Sequence, residues 1–382
     1  MTTTIVIEAG GRIPADLVRD LSAMWPAPDA IDVVVAPDRE ALLGVVARGL
    51  AAGDGVVVAP TDATGLGAVA AIDPGSPRVV FVSLDDADTA PGVSATTGVP
   101  IVGGRGMDGF RWAVAWVRQR AAFPFTQLAY GDDADQIADL RLPDGDGPFP
   151  VAVFLHGGFW RERWLRDTIE PLAIDAAARG FASLNVEYRR AGPHFPGWHG
   201  TAADVGAALD HLAKLHAPLD LARVVVVGHS AGAQLAAWCV HRRPDGPTPA
   251  SVRPAAVALL AGMVDLVELA RRGIGDTGNP TTAFMGGGPA ERAVDYGNAS
   301  PLTLLPLGVP QIVVQGARDL PDLLDLSRVY VERARRAGDP VAYLEYADGD
   351  HFTVITPDRP EWTETMAAVS AVLTPQASTD NP

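Results

Sequence analysis

Residues 223–238, RVVVVGHSAGAQLAAW, constrain the fold more tightly than any other stretch of the chain. Four consecutive valines are apolar on both faces, the pattern of a strand buried inside a parallel sheet. The small residues that follow carry helical spacing. Between the two stands Gly228-His229-Ser230-Ala231-Gly232. A glycine on each side of Ser230 removes a Cβ where the backbone turns sharply, so strand and helix can approach and Ser230 stands at the helix N-terminus. Such a serine is either a nucleophile or a small residue in a tight turn, and in a chain with 40 glycines the motif alone does not decide.

A hydroxyl attacks a carbonyl only with a base in hydrogen-bond reach, an acid that orients the base, and amide donors where the oxyanion develops. The stretch VAVFLHGGFWRERW offers the donors. An apolar strand over 151–155 runs into His156-Gly157-Gly158-Phe159-Trp160, where paired glycines let backbone N–H groups point into a site. Gly158 and Phe159 would present amides, Gly157 would assist the turn, and Ala231 would be the third donor; the plainer alternative is a β-turn. His156 reads as a structural hydrogen-bonding residue. For the acid, PQIVVQGARDLPDLLDLSRVY puts Asp319 three residues after Gly316 at a strand end, with Asp265 in LLAGMVDLVEL as its competitor. For the base, VAYLEYADGDHFTVI puts His351 in a Gly/Asp loop between the last strand and a closing helix over 360–374. The order Ser230, Asp319, His351 is the one expected of a serine triad on a strand–turn–helix scaffold. Phe159, Trp160, Phe195 and Trp198 stand near the expected mouth, and Phe284 lies in the segment 265–300, whose Gly286-Gly287-Gly288 run permits mobility. Each reads equally as a substrate contact or as core packing.

The 382 residues are too many for one average domain, so two are expected. Over residues 1–121 the strand-like runs TIVIEA, IDVVVA, GVVVAP, RVVFVS and VPIVGG alternate with the helical patterns REALLGVVARGLA and DGFRWAVAWVRQRAA, which predicts a flavodoxin-like parallel α/β layer. GGRGMDG reads as a turn before a helix rather than a phosphate loop. Over 122–375 the pattern repeats with VAVFLH, FASLNVEY, RVVVVGH, AAVALLAG, PQIVVQG and VAYLEY. GPHFPGWHG, with His194 and His199, reads as loop, and 376–382 as a disordered tail.

Composition excludes several functions. A formal charge of −16 leaves no basic footprint for nucleic acid. Lys214 is the only lysine, which removes lysine-dependent phosphate loops and Schiff-base chemistry. Cys239 is the only cysteine, so no intrachain disulfide and no cysteine metal cluster forms, and the eight histidines show no metal-ligand spacing. No metal and no cofactor are expected. The N-terminal residues lack a signal-peptide pattern and no run reaches membrane-spanning length, so the expectation is a cytoplasmic protein without a membrane partner.

On HGGFW, VEYRRAG, GWHGTAADVGAALDHL, GHSAGAQLA, NASPL and GARD…SRVY…GDHF, residues about 124–375 resemble the α/β-hydrolase family, within its esterase and kynurenine-formamidase-like branch. The resemblance implies hydrolysis of a carboxylic ester or small amide through an acyl-serine intermediate, with arylformamidase, peptidase or a non-catalytic scaffold as alternatives. Gln315, where such families often carry histidine, and DLPDLLDLS, which lacks the usual Val-Pro step, depart from the pattern. Residues about 1–120 resemble a type II dehydroquinase in strand and helix order. The family's histidine would fall near Val82 and its tyrosine-bearing loop is missing or shortened around GGRIPADL. The resemblance thus implies a degenerate domain, retained for assembly or for shaping the active-site entrance, and an oligomer.

Overall fold

Valine-rich runs form the centres of two separate sheets. The computed structural model describes residues 2–10, 13–25, 30–61, 63–73, 76–83, 92–93, 99–192, 197–242 and 250–374. Phe195, His194 and the tail beyond residue 375 lie outside the described residues. The chain divides into two units: Met1–Phe125 with Asp132–Asp135 and Glu162–Glu170, and Thr126–Gly131 with Gln136–Arg161 and Pro171–Pro382.

The first unit contains β1 (Thr3–Glu8), α1 (Ala15–Ser22), β2 (Ile31–Ala36), α2 (Arg39–Ala52), β3 (Gly55–Ala59), α3 (Ala63–Ala70), β4 (Val79–Ser83), β5 (Gly92–Val93), β6 (Pro100–Gly103) and α4 (Asp108–Ala122). Its sheet order is β2-β1-β3-β4-β6-β5, parallel except for β5. Alternation sends Ile5, Ile7, Val57, Val80 and Val82 to the face covered by Phe110, Ala113, Trp116 and Val117 of α4. Val6, Val56, Val58 and Phe81 go to the opposite face, against Leu42 and Val46 of α2. Strand order reverses between β1 and β3, the place where such sheets ordinarily leave a ligand crevice. Here the Glu8 carboxylate occupies that end: it accepts from Arg39 Nε (2.7 Å) and from Thr61 N and Oγ1 (both 2.8 Å). Burial would raise its pKa, but Arg39 and Thr61 together bring it below the ordinary value.

The second unit contains β7 (Thr126–Ala129), β8 (Ile137–Arg141), β9 (Phe149–Leu155), α5 (Glu170–Ala178), β10 (Ala182–Val186), α6 (Gly197–His211), β11 (Leu219–His229), α7 (Ala231–His241), β12 (Ala256–Leu260), α8 (Leu266–Arg272), α9 (Pro280–Met285), α10 (Ala293–Ala299), β13 (Gln311–Gly316), α11 (Pro321–Arg336), β14 (Val341–Tyr346) and α12 (Pro360–Leu373). The sheet order is β14-β13-β12-β11-β9-β10-β8-β7, with β7, β8 and β10 paired antiparallel and the rest parallel. β11 is therefore central, and Val224–Val227 are wholly buried, as a strand covered on both faces requires. α6 and α7 pack on one face. On the other, Trp362 of α12 lies 6.1 Å from Phe154 and donates to Asp175 Oδ2 of α5 at 2.6 Å.

Two local readings are corrected. GWHG is the first turn of α6, not loop, so His199 is helical and its Nε2 meets Asp295 Oδ1 at 3.0 Å. The antiparallel pair β7–β8 precedes the first expected strand of this unit; β8 buries Asp139 and Arg141, whose charges hide the strand's apolar alternation. Among the described residues no helix is long and apolar enough to cross a membrane.

Candidate active site

β11 delivers Ser230 at its carboxyl end, and α7 begins one residue later. Ser230 has φ 54° and ψ −115°, a left-handed conformation that costs an L-residue roughly 1–3 kcal/mol. The flanking glycines are obligatory: a Cβ on Gly228 would lie 2.2 Å from Gly232 O, and one on Gly232 would lie 2.1 Å from Leu155 O. Ser230 N donates to Leu260 O (2.8 Å) and Met263 N donates to Ser230 O (3.0 Å), which stitches the turn to the end of β12. Gly232→Ala is expected to destabilise the chain by about 3 kcal/mol or more, since backbone rather than a side chain must yield; urea unfolding checks this, and an unchanged midpoint would disprove the close approach.

The loop after β9 folds over this turn. A Cβ on Gly157 would stand 2.8 Å from Ser230 Cβ, so only glycine fits between loop and serine. Phe159 and Trp160 follow with φ 55° and 56°. Together with Ser230 and Ala261 they are the positive-φ non-glycine residues among those described, and all four stand just past the carboxyl ends of β9, β11 and β12. Strain held at one end of a sheet is a mark of a built site. The amides of Gly158, Phe159 and Ala231 donate to no protein acceptor among the described residues, leaving them available to a ligand. His156 is walled in: Nδ1 faces Gly157 O (2.8 Å), Nε2 faces Glu187 Oε1 (2.9 Å), its ring stacks on Tyr188 at 4.4 Å, and its carbonyl accepts from Tyr188 Oη (2.6 Å).

The expected aromatic mouth is corrected. Trp160 and Phe284 are 0% exposed and stack on each other at 4.4 Å and 7°, and Trp198 is 4% exposed in the core. Rings that touch no solvent offer no face to a substrate. Trp160 instead ties the loop to α7, its Nε1 donating to Gln234 Oε1 (3.1 Å) while Gln234 Nε2 donates to Ala299 O (3.0 Å). Phe159 is half-buried, and a further aromatic beside the site, Phe352, is 49% exposed and 5.4 Å from the His351 ring; its position after His351 was the available signal.

Asp319 and His351 arrive from the loops after β13 and β14, which are joined by Ala317 N to Tyr346 O (2.9 Å) and Arg318 N to Gly349 O (2.8 Å). His351 Nδ1 donates to Asp319 Oδ2 at 2.8 Å. The same oxygen accepts from Gln315 Nε2 (2.9 Å), and Oδ1 accepts from Leu320 N (2.6 Å). Burial pushes the Asp319 pKa up, but the His351 bond and charge, the Leu320 amide and Gln315 outweigh it and hold the carboxyl below its ordinary value. Gln315 is itself fixed by Ser327 Oγ, which donates to its Oε1 at 2.9 Å. The competing Asp265 caps α8, accepting from Val267 N and Glu268 N at 3.1 Å each.

Sequence reasoning passed over His229. Its Nε2 donates to His351 O (2.9 Å) and its ring centroid is 4.7 Å from that of His351. Burial first, and the neighbouring His351 second, lower its pKa to about 3. Because the folded value lies below the unfolded value of about 6.5, the unfolded chain binds the extra proton. Stability is therefore lost as pH falls through 6.5 toward 3, with a contribution of about 3 kcal/mol between pH 7 and 4. His229→Gln should shrink the difference in urea-unfolding free energy between those two pH values by about that amount.

Known proteins similar to this chain include esterases and a lipase. The family described as BD-FAE matches residues 138–321. The chain is 27% identical over 255 residues to esterase LipC of Mycobacterium tuberculosis, covering 62% of this chain and 61% of that protein. It is 29% identical over 152 residues to the mouse sn-1-specific diacylglycerol lipase ABHD11, covering 35% of this chain and 48% of that one. The chain thus spans about half to three-fifths of the length of these curated relatives. Among solved structures, a bacterial heroin esterase superposes with TM-score 0.52 at 27% identity, covering 65% of this chain and 83% of its own. An esterase of the planctomycete Thermogutta terrifontis gives 0.53 at 20% identity, covering 67% and 95%. The second unit has the α/β-hydrolase fold, and the proteins it is similar to are ester hydrolases.

Proposed function

We propose that this chain is a serine hydrolase that cleaves a carboxylic ester or a small amide through an acyl-serine intermediate. The observation that carries this reading is the 2.8 Å bond between Asp319 and His351, on loops tied together next to a strained serine turn. His351 Nε2 takes the proton of Ser230 as Oγ bonds to the carbonyl carbon. The carbonyl oxygen becomes an oxyanion and accepts from the amides of Gly158, Phe159 and Ala231. The imidazolium, stabilised by ionised Asp319, gives its proton to the leaving oxygen or nitrogen as the acyl–heteroatom bond breaks. Water then repeats the sequence on the acyl-serine, releasing the acid and restoring Ser230. Neutral His229 adds no charge beside the imidazolium.

The likeness to esterases favours esters over amides. The N-terminal unit takes no part in these bonds: Val82 is buried in β4 where a dehydroquinase-like histidine would fall, and Glu8 fills the sheet's ligand crevice, so its role is assembly, including self-association of the chain, or support. A fluorophosphonate should label the protein once, on Ser230, and p-nitrophenyl acyl esters should turn over faster than N-formylkynurenine or peptides. A label on another residue overturns the nucleophile; faster turnover of N-formylkynurenine makes the protein an arylformamidase.

A further inference from the structure

Gln315 is a wholly buried polar side chain that takes no part in the bond changes above. It stands one residue from the end of β13, where a buried amide must find partners for both its oxygen and its NH₂. Nε2 donates to Asp319 Oδ2 at 2.9 Å and to Gly316 O at 3.3 Å, while Oε1 accepts from Ser327 Oγ of α11 at 2.9 Å. Ser327 is wholly buried as well. A flipped amide would set Oε1 against the Asp319 carboxylate and the Gly316 carbonyl, so the NH₂ is committed to Asp319. Leu320 N takes the other carboxylate oxygen, Oδ1, at 2.6 Å. Gln315 Nε2 and His351 Nδ1 (2.8 Å) therefore donate to one and the same oxygen.

Two donors on one oxygen weaken each other, because each bond is strongest when that oxygen carries its full charge. An imidazolium draws more of the charge than a neutral imidazole does. The Gln315 bond is thus stronger while His351 is neutral, and it opposes protonation of His351. We infer that Gln315 is a positioning residue that acts through Asp319: by sharing Oδ2 with His351, it lowers the pH at which His351 becomes the neutral base that Ser230 requires. The inference rests on the serine-hydrolase reading above. An amide does not titrate, so the opposition holds at every working pH. Other charged and titratable groups stand around His351. His229 donates from Nε2 to its carbonyl, Asp350 accepts from the amides of the following turn, and Arg318 pairs with Asp348. Glu345, in register with Gln315 on β14, pairs with Arg328, and Glu361 Oε1 of α12 would lie 3.0 Å from a Cβ on Gly349. None of these bonds involves Gln315.

The test uses the full-length protein as wild type, Gln315→Met and Gln315→Asn, with reactive serine counted by fluorophosphonate titration. The pH profile of kcat/KM is followed with p-nitrophenyl acetate. Methionine matches the length of Gln315 without a donor, and asparagine keeps an amide one methylene short of Asp319. In both, the acid-side midpoint of kcat/KM is expected to rise by about half to one pH unit, the size of one hydrogen bond between neutral partners. Per titrated serine, kcat/KM below the midpoint should fall roughly three- to tenfold, and the loss should shrink on the alkaline side. A Gln315 that only ties the core together would lower the thermal midpoint and the number of titrated serines, or reduce kcat/KM equally at every pH. The acid-side midpoint would then keep its wild-type position, and that result overturns the inference, as does a midpoint that moves down. Failure of both variants to yield any titratable serine overturns it too, by making Gln315 a folding requirement. If wild type itself carries no label on Ser230, the hydrolase reading fails first; if Ser230 is labelled and the midpoint stays put, this inference fails alone.

Discussion

Ser230→Ala is expected to lower kcat for p-nitrophenyl acetate by roughly 10⁵-fold or more, leaving the slow turnover that an oxyanion site and binding supply without a nucleophile. The size follows from the site's economy, for no other hydroxyl stands at this turn and α7 presents only Ala231, Gly232 and Ala233 after it. Binding should survive, because the loop of Gly157–Trp160 is anchored by His156, Trp160 and Gln234 rather than by the serine hydroxyl. Ser230→Gly separates chemistry from strain. It should be equally inactive yet gain about 1 kcal/mol in urea unfolding, since glycine adopts φ 54° without the Cβ penalty. A glycine variant no more stable than alanine would remove strain from the account of this turn.

Asp319→Asn is expected to reduce kcat by roughly 10⁴-fold with little change in KM. The Asp319 carboxylate faces three donors, His351 Nδ1, Gln315 Nε2 and Leu320 N. An amide has one oxygen, so one orientation sets its NH₂ against Leu320 N–H. The other sets it against Gln315 and makes His351 Nδ1 an acceptor, which turns a protonated Nε2 toward Ser230 and leaves no base. The carboxylate's depressed pKa gives the sign of the pH effect: its stabilising charge is complete above the unfolded value near 3.9 and is lost only as pH falls through the lower folded value. Assays above pH 5 therefore keep Asp319 ionised in wild type, and steady-state rates of wild type and variant across that range measure the loss directly.

Both sheets were legible where strands are valine-rich and covered on both faces, because periodicity reports burial. The serine turn was legible for a steric reason: few sequences other than glycine–x–serine–x–glycine let β11, α7 and the end of β9 approach as they do. Choosing Asp319 over Asp265 was harder. Both follow strands, and aspartate is favoured there as a helix cap, which is the role Asp265 takes. β8 was missed because Asp139 and Arg141 are charged and buried, a pairing that local pattern cannot anticipate. The aromatics failed for a related reason: Trp160 and Phe284 are far apart in sequence, so their stacking was invisible and their hydrophobicity read as a mouth. Nothing in ERWLRDTIE announces that it serves the first unit, since its charges and aromatics resemble any surface turn.

The placement of Glu162–Glu170 also bears on how the protein is made. Residues 1–125 leave the ribosome first, but Leu165, which completes their core, and Asp167, which pairs with the buried Arg105 at 2.7 Å, are translated only after β7, β8 and β9. Until then the N-terminal unit carries an open apolar seat and a cation without its carboxylate. The first unit therefore waits for chain made after it, and a gene cut after residue 125 would leave the N-terminal product without residues 132–135 and 162–170.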